Sequence, residues 1–130
     1  MRSLVKYISN LTFLLLLIVI ISCINQTTPD LVLSDYSIQI DSVREGSVCR
    51  GEIKVWNKGE QELHISNIST DCSCTDATID KTSICKGDTS RIYYSLNTSH
   101  KYGDIENYIF IEANTDSAFH FIQIKAHVYQ

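Results

Sequence analysis

From residue 31 onward, apolar and polar residues alternate in short runs. Tyr36-Ser37-Ile38-Gln39-Ile40 alternates cleanly, and so does Glu52-Ile53-Lys54-Val55-Trp56. Leu63-His64-Ile65 is a shorter run, and Arg91-Ile92-Tyr93-Tyr94-Ser95-Leu96 a fourth. Phe121 to Val128 alternates along its whole length. A period of two sends successive side chains to opposite faces of an extended strand. Tyr108 to Ile111 is more continuously apolar, which predicts a central strand. No window sustains the 3.6 period of an amphipathic helix.

Gly46, Gly59, Gly87 and Gly103 punctuate these runs among polar neighbours, where tight turns form. Six or seven short strands without a helix predict an all-β fold, an Ig-like antiparallel β-sandwich of about seven strands. No internal repeat is evident. Trp56 has the parity opposite to the inward aliphatics of its run, and packing beneath a neighbouring loop is the favoured reading over an exposed binding aromatic.

The first residues have a different pattern. Arg2 and Lys6 are followed by an apolar stretch, Leu11 to Ile21, broken only by Thr12. That stretch is shorter than the roughly 20 residues needed to cross a bilayer, and it has the length of a signal-peptide core. It ends in Ile20-Ile21-Ser22-Cys23, which resembles the lipobox of bacterial lipoproteins. The resemblance implies cleavage before Cys23 and acylation of its thiol and new amine. Residues 1–22 are thus expected to be a lipoprotein signal peptide, 23–30 a lipid-anchored tether and 31–130 the sandwich. The partner at this end is the lipid bilayer. No Asp follows Cys23 and no acidic run lies beyond it, so the expected location is the outer membrane, facing the periplasm, with the cell surface as the alternative.

At 130 residues the chain fits one ordinary domain. Its net charge of −4 becomes more negative once Arg2 and Lys6 are removed, which argues against a nucleic-acid partner. There is no Gly-x-Ser-x-Gly, His-Glu-x-x-His or glycine-rich phosphate loop, so hydrolytic chemistry has no support. No cofactor is expected.

Besides Cys23 there are four cysteines: Cys49, Cys72, Cys74 and Cys85. In an exported chain they are disulfide candidates with three connectivities. A bond between Cys72 and Cys74 closes a tight ring, so each is expected to pair elsewhere, with Cys49 and Cys85. Cys49 shares the inward parity of Ile53 and Val55.

Asp71-Cys72-Ser73-Cys74-Thr75 resembles the Cys-Gly-Cys-Thr signature of domain of unknown function 1573, a family of Ig-like domains in exported bacterial proteins. Asn57-Lys58-Gly59, Ile84-Cys85-Lys86-Gly87, Gly103, Ala113-Asn114-Thr115 and Ile124 to Val128 extend the likeness over roughly residues 40 to 128. Ser73 stands in place of the usual glycine, which implies a less extreme backbone there. Cys85-Lys86 stands where a small residue and proline are common. Cys49 and Cys85 are additional, which suggests a loop stapled by disulfides. The family's fold carries over, and its molecular role is not established.

Three functional readings compete. The leading one is a non-catalytic, membrane-tethered module that binds or scaffolds an envelope protein or glycan, through the Cys72–Cys85 loop or through Thr98-Ser99-His100-Lys101-Tyr102. The second is thiol-disulfide exchange at Cys72 and Cys74, activated by Lys81, Lys86 or His64. The third is soft-metal (Cu or Zn) binding by those cysteines with His64, Cys85 or His100. Asp71 and Asp76 flank the cysteines without a distinctive pattern. Asp41-Ser42-Val43 and Asp116-Ser117-Ala118 resemble O-glycosylation acceptors in expected loops, with Ser42 and Ser117 as the acceptor residues.

Overall fold

A computed structural model describes residues 28–130, which form nine strands and no helix. They are β1 (Leu31–Leu33), β2 (Ser37–Arg44), β3 (Val48–Asn57), β4 (Leu63–Thr70), β5 (Thr75–Ile79), β6 (Ser83–Ile84), β7 (Thr89–Asn97), β8 (Gly103–Ala113) and β9 (Phe119–Tyr129). Two sheets result, a four-stranded one in the order β1-β3-β7-β5 and a five-stranded one in the order β2-β9-β8-β4-β6. As the continuous apolar run predicts, β8 is central to its sheet.

The alternating positions meet between the sheets. Ile53 and Val55 of β3, with Ile92 and Leu96 of β7, face Ile109 and Ile111 of β8 with Ile122 and Ile124 of β9 in one buried cluster. Burying each such side chain contributes about 1.5–3 kcal/mol relative to leaving it in water. Their β-branched and aliphatic shapes suit a pleated, half-buried surface.

Two strands run further than their alternation suggests, each because of a bulge. In β4 the register shifts between Ile65 and Asn67, which turns Ile68 back toward the core. In β2 the shift lies between Ile40 and Val43. One extra residue at each place breaks the period of two without ending the strand.

The sandwich differs from the expected one in two respects. It has nine strands, because β1, β5 and β6 are short. It is also not wholly antiparallel: β2 pairs with β9 in parallel, Ser37 to Gln123 and Ile40 to Ala126. Alternation encodes which face a residue occupies, not the direction of the neighbouring strand.

Gly51, the one glycine within a strand interior, lies opposite Tyr94 on β7. The phenol ring occupies the space that a Cβ at position 51 would need. Trp56 is half-buried, with Val32 of β1 and Thr89 of β7 as its cross-strand neighbours.

Cys23 and most of the expected tether lie outside the described residues. At the domain boundary, Pro29 is buried, and the backbone of Thr28–Asp30 crosses directly over Gly59, leaving no room for a Cβ there. The N–H of Lys58 donates to Asp30 O at 2.9 Å. Asn57, fully buried, ties this corner together. Its amide donates to Gln61 O at 2.6 Å and Ile84 O at 2.9 Å, while its Oδ1 accepts from Gly59 N–H at 3.0 Å. The entering chain is therefore fixed at one end of the sandwich, the Gly59 end.

Candidate functional site

The chain leaves β4 at Thr70 and crosses to the other sheet through Asp71 to Cys74. Tyr108 N–H donates to Asp71 Oδ1 at 2.9 Å, and Asp71 N–H donates to Tyr108 O at 3.2 Å. Thr75 N–H donates to Cys72 O at 3.0 Å, closing a four-residue turn. Thr70 Oγ1 braces it from within, donating to Thr75 O at 2.9 Å. Ser73 keeps a negative φ, so the turn needs no glycine there.

Within that turn Cys72 and Cys74 form a disulfide, their Cα atoms 5.1 Å apart. This corrects the expected cross-pairing. Cys49 lies opposite Leu96, and Leu96 lies opposite Thr75 on the far side of β7. Two strand spacings of about 4.8 Å separate Cys49 from the turn, beyond the roughly 7 Å that a disulfide bridges between Cα atoms. Cys85 follows β6 near the other end of β3, where Gly87 N–H donates to Asn57 O at 2.8 Å. Cys49 is half-buried and Cys85 exposed, and neither has a disulfide partner among the described residues.

Both sulfurs have polar company. Lys101 Nζ is 3.8 Å from Cys72 Sγ, and the N–H of Cys74 donates to the same sulfur at 3.1 Å. Asn107 Nδ2 is 3.5 Å from Cys74 Sγ, with Thr75 Oγ1 at 3.8 Å. Both are half-buried; Cys74 packs against the core cluster and Cys72 is not part of it. The backbone that carries Lys101 is held by Thr98. Thr98, fully buried, has Arg44 O and Ser47 O both 3.0 Å from Oγ1, sharing its one hydroxyl proton, and accepts from Ser47 N–H at 2.9 Å. Lys101 N–H then donates to Thr98 O at 3.1 Å. The Cys72–Cys85 segment is not a single loop, since β5 and β6 lie within it, and only its Cys72–Cys74 turn meets the Thr98–Tyr102 loop, at the Lys101 end.

The cation beside the cysteines is Lys101, not Lys81, Lys86 or His64. Lys81 follows β5, its N–H donating to Ser90 Oγ at 3.0 Å. Lys86 pairs with Glu60, and His64 Nδ1 lies 3.2 Å from Ser83 Oγ. These three are toward the Gly59 end. The expected metal ligands are scattered in the same way. His64 and Cys85 lie near that end, and His100 N–H is held by Glu45 Oε1 at 2.8 Å in the loop. Among the described residues no group of three or more His, Cys, Asp or Glu is arranged to hold a metal.

A second feature lies on the outer face of the five-stranded sheet. Tyr108 and Phe110 stack along β8 with ring centroids 6.2 Å apart, and Phe121 of β9 meets Tyr108 edge-on at 6.1 Å. Phe110 and Phe121 are cross-strand neighbours, and Phe119 lies one pair further along. Phe110 is 42%, Phe121 57% and Phe119 69% exposed. The strip adjoins a polar cluster in which Tyr108 hydroxyl donates to Glu106 and Gln123 Nε2 donates to Tyr108 Oη at 3.0 Å. The hydrogen bond from Tyr108, then that from Gln123, holds the Glu106 carboxyl below its ordinary range. The bond to Glu106 in turn raises the Tyr108 phenol. Parity contained the signal for this strip: Phe119 and Phe121 share a face with Gln123, Lys125 and His127, not with Ile122 and Ile124.

Of the two glycosylation candidates, Ser117 lies exposed in the β8–β9 loop, its Oγ donating to Phe119 O at 3.2 Å. Ser42 is exposed but belongs to β2 at its bulge rather than to a loop.

Residues 31–128 match the family described as "Protein of unknown function (DUF1573)". The fold is similar to a Porphyromonas gingivalis W83 protein of unknown function, at 17% identity and a TM-score of 0.71, covering 82% of this chain and 50% of that one. It is also similar to a PapD-like domain of human CEP192, at 8% identity and a TM-score of 0.64, covering 82% and 89%. The secreted serine protease VesC of Vibrio cholerae aligns at 12% identity and a TM-score of 0.58, over 79% of this chain but 23% of the protease. The chain spans about half the length of the Porphyromonas protein. At these identities the likeness is one of fold. No curated protein sequence matches the chain.

Proposed function

We propose that this chain, which belongs to the DUF1573 family, is a non-catalytic, membrane-tethered module that binds a protein or glycan of the bacterial cell envelope. Cys23 carries the lipid in this reading, and the module faces the periplasm from the outer membrane. The observation that supports binding is the aromatic strip of Phe110, Phe119 and Phe121, exposed beside the half-buried Tyr108 on a sheet whose inner face is already packed. Solvated apolar patches of this kind mark interaction surfaces, and aromatic side chains dominate the energetics of such contacts.

Site-specific photocrosslinking from position 112, opposite Phe119 beside the strip, in intact cells tests the reading. The expected result is one discrete adduct, lost when Phe110→Ala and Phe121→Ala are combined. A well-folded protein that crosslinks to nothing but itself would refute it. The anchor is tested separately: Cys23→Ser should move the protein from the membrane to the soluble fraction and abolish acyl labelling.

A further inference from the structure

We propose that the Cys72–Cys74 disulfide exchanges with the thiols of a dithiol in another exported protein. This goes beyond the binding reading and uses a different part of the surface.

Each sulfur faces donors suited to a thiolate. Cys72 Sγ has the Lys101 ammonium at 3.8 Å and the Cys74 N–H at 3.1 Å. Cys74 Sγ has Asn107 Nδ2 at 3.5 Å and Thr75 Oγ1 at 3.8 Å. A sulfur in a disulfide is a weak acceptor and gains little from such partners. A thiolate gains much more, because hydrogen bonds and cations favour the charged form. The surroundings therefore favour the reduced, ionised state over the bonded one. Thr98 ties down the backbone of the loop that carries Lys101, so the side chain springs from a fixed point near the disulfide.

Position sets the order of events. Both cysteines are half-buried, but only Cys74 packs against the core cluster, which leaves Cys72 the less hindered sulfur. The partner's first thiolate, drawn by Lys101, attacks Cys72 Sγ and forms a mixed disulfide. The Cys72–Cys74 bond breaks, and its electron pair goes to Cys74 Sγ, which leaves beside Asn107 and Thr75 and takes a proton from water. The partner's second thiolate then attacks its own bound sulfur. Cys72 Sγ leaves with that electron pair, facing Lys101 and the Cys74 N–H. The partner loses two electrons and becomes a disulfide, while this protein gains them as a dithiol. One equivalent is exchanged per molecule.

The test uses the full chain purified from membranes in detergent, with Cys49→Ser and Cys85→Ser so that only this pair responds. The protein is equilibrated with mixtures of reduced and oxidised glutathione, quenched, alkylated and weighed. The expected result is reversible reduction in the folded protein, with Cys72 alkylated before Cys74. Lys101→Met should shift the equilibrium toward the disulfide roughly 2- to 5-fold, the scale of a half-exposed charge contact, and Lys101→Arg should restore it. Cys74→Ser should retain a mixed disulfide on Cys72. A bond that withstands excess thiol until the protein unfolds would overturn the proposal. So would an equilibrium that Lys101→Met leaves unchanged. Either failure leaves the aromatic strip and its crosslinking test untouched.

Discussion

Asn107 is buried in the sandwich, and its side-chain amide lies 3.5 Å from Cys74 Sγ. It is the one polar member of the inward row Ile105, Asn107, Ile109, Ile111 on β8. A buried amide must find a partner, and the sulfur is the one it has. Asn107→Ala should lower the unfolding free energy by roughly 1–3 kcal/mol in chemical denaturation. In a Cys72→Ala/Cys74→Ala background the same change should cost less, because the amide has already lost its acceptor. Strict additivity in that double-mutant cycle would remove the contact from the account.

Gly51 and Tyr94 make a second test. Since the phenol ring fills the space of a missing Cβ, Gly51→Val should force Tyr94 off its place. Overpacking of this kind costs about 1–3 kcal/mol. Adding Tyr94→Ala should recover part of the loss; if thermal midpoints show no recovery, strand propensity rather than the ring sets the requirement for glycine.

Asn57 is a more severe case. Its side chain bonds two carbonyls and accepts an N–H in a fully buried corner. Asn57→Ala strands all three groups and should cost about 3–5 kcal/mol. Asn57→Asp keeps the acceptor but cannot donate, and should be comparably damaging at neutral pH. A stable Asn57→Asp protein, judged by its denaturation midpoint, would contradict this.

The Glu106–Tyr108 pair predicts effects at both extremes of pH. Folding lowers the Glu106 pKa, so its contribution is complete above the ordinary carboxyl range and fades as pH falls through the lowered folded value. Folding raises the Tyr108 pKa, so that contribution is complete below the ordinary phenol range and fades as pH rises through the raised value. In an NMR titration Tyr108→Phe should bring the Glu106 carboxyl back up toward its ordinary range. An unchanged midpoint would exclude Tyr108 as the main cause.

Much of the sandwich is legible in the sequence, for a specific reason. Wherever alternation is unbroken, as in Glu52 to Trp56 and Phe121 to Val128, the strand and its inward face can be read directly. The bulges in β2 and β4 hide the rest of those strands, because one inserted residue inverts the parity of every position after it. Strands of two or three residues, such as β6 and β1, are too short to display a period. The Cys-x-Cys turn is equally visible. Its cation is not, because Lys101 lies 29 residues from Cys72 and is brought there by the route of β7. The cross-paired disulfides fail for the same kind of reason: even numbers of cysteines say nothing about the strand between them.

The parallel pairing of β2 with β9 has a consequence for how the chain is made. β2 is among the first strands to emerge from a ribosome or an export channel, and β9 is the last. β8, at the centre of its sheet, also waits for β9 along its whole length. A chain emerging from its N-terminal side must therefore hold β2 and one side of β8 open, with Ile38 and Ile109 exposed, until the strand that covers them has emerged. Contacts so distant in sequence fold slowly. The interval before β9 arrives is thus when this chain is most exposed to chaperones and proteases.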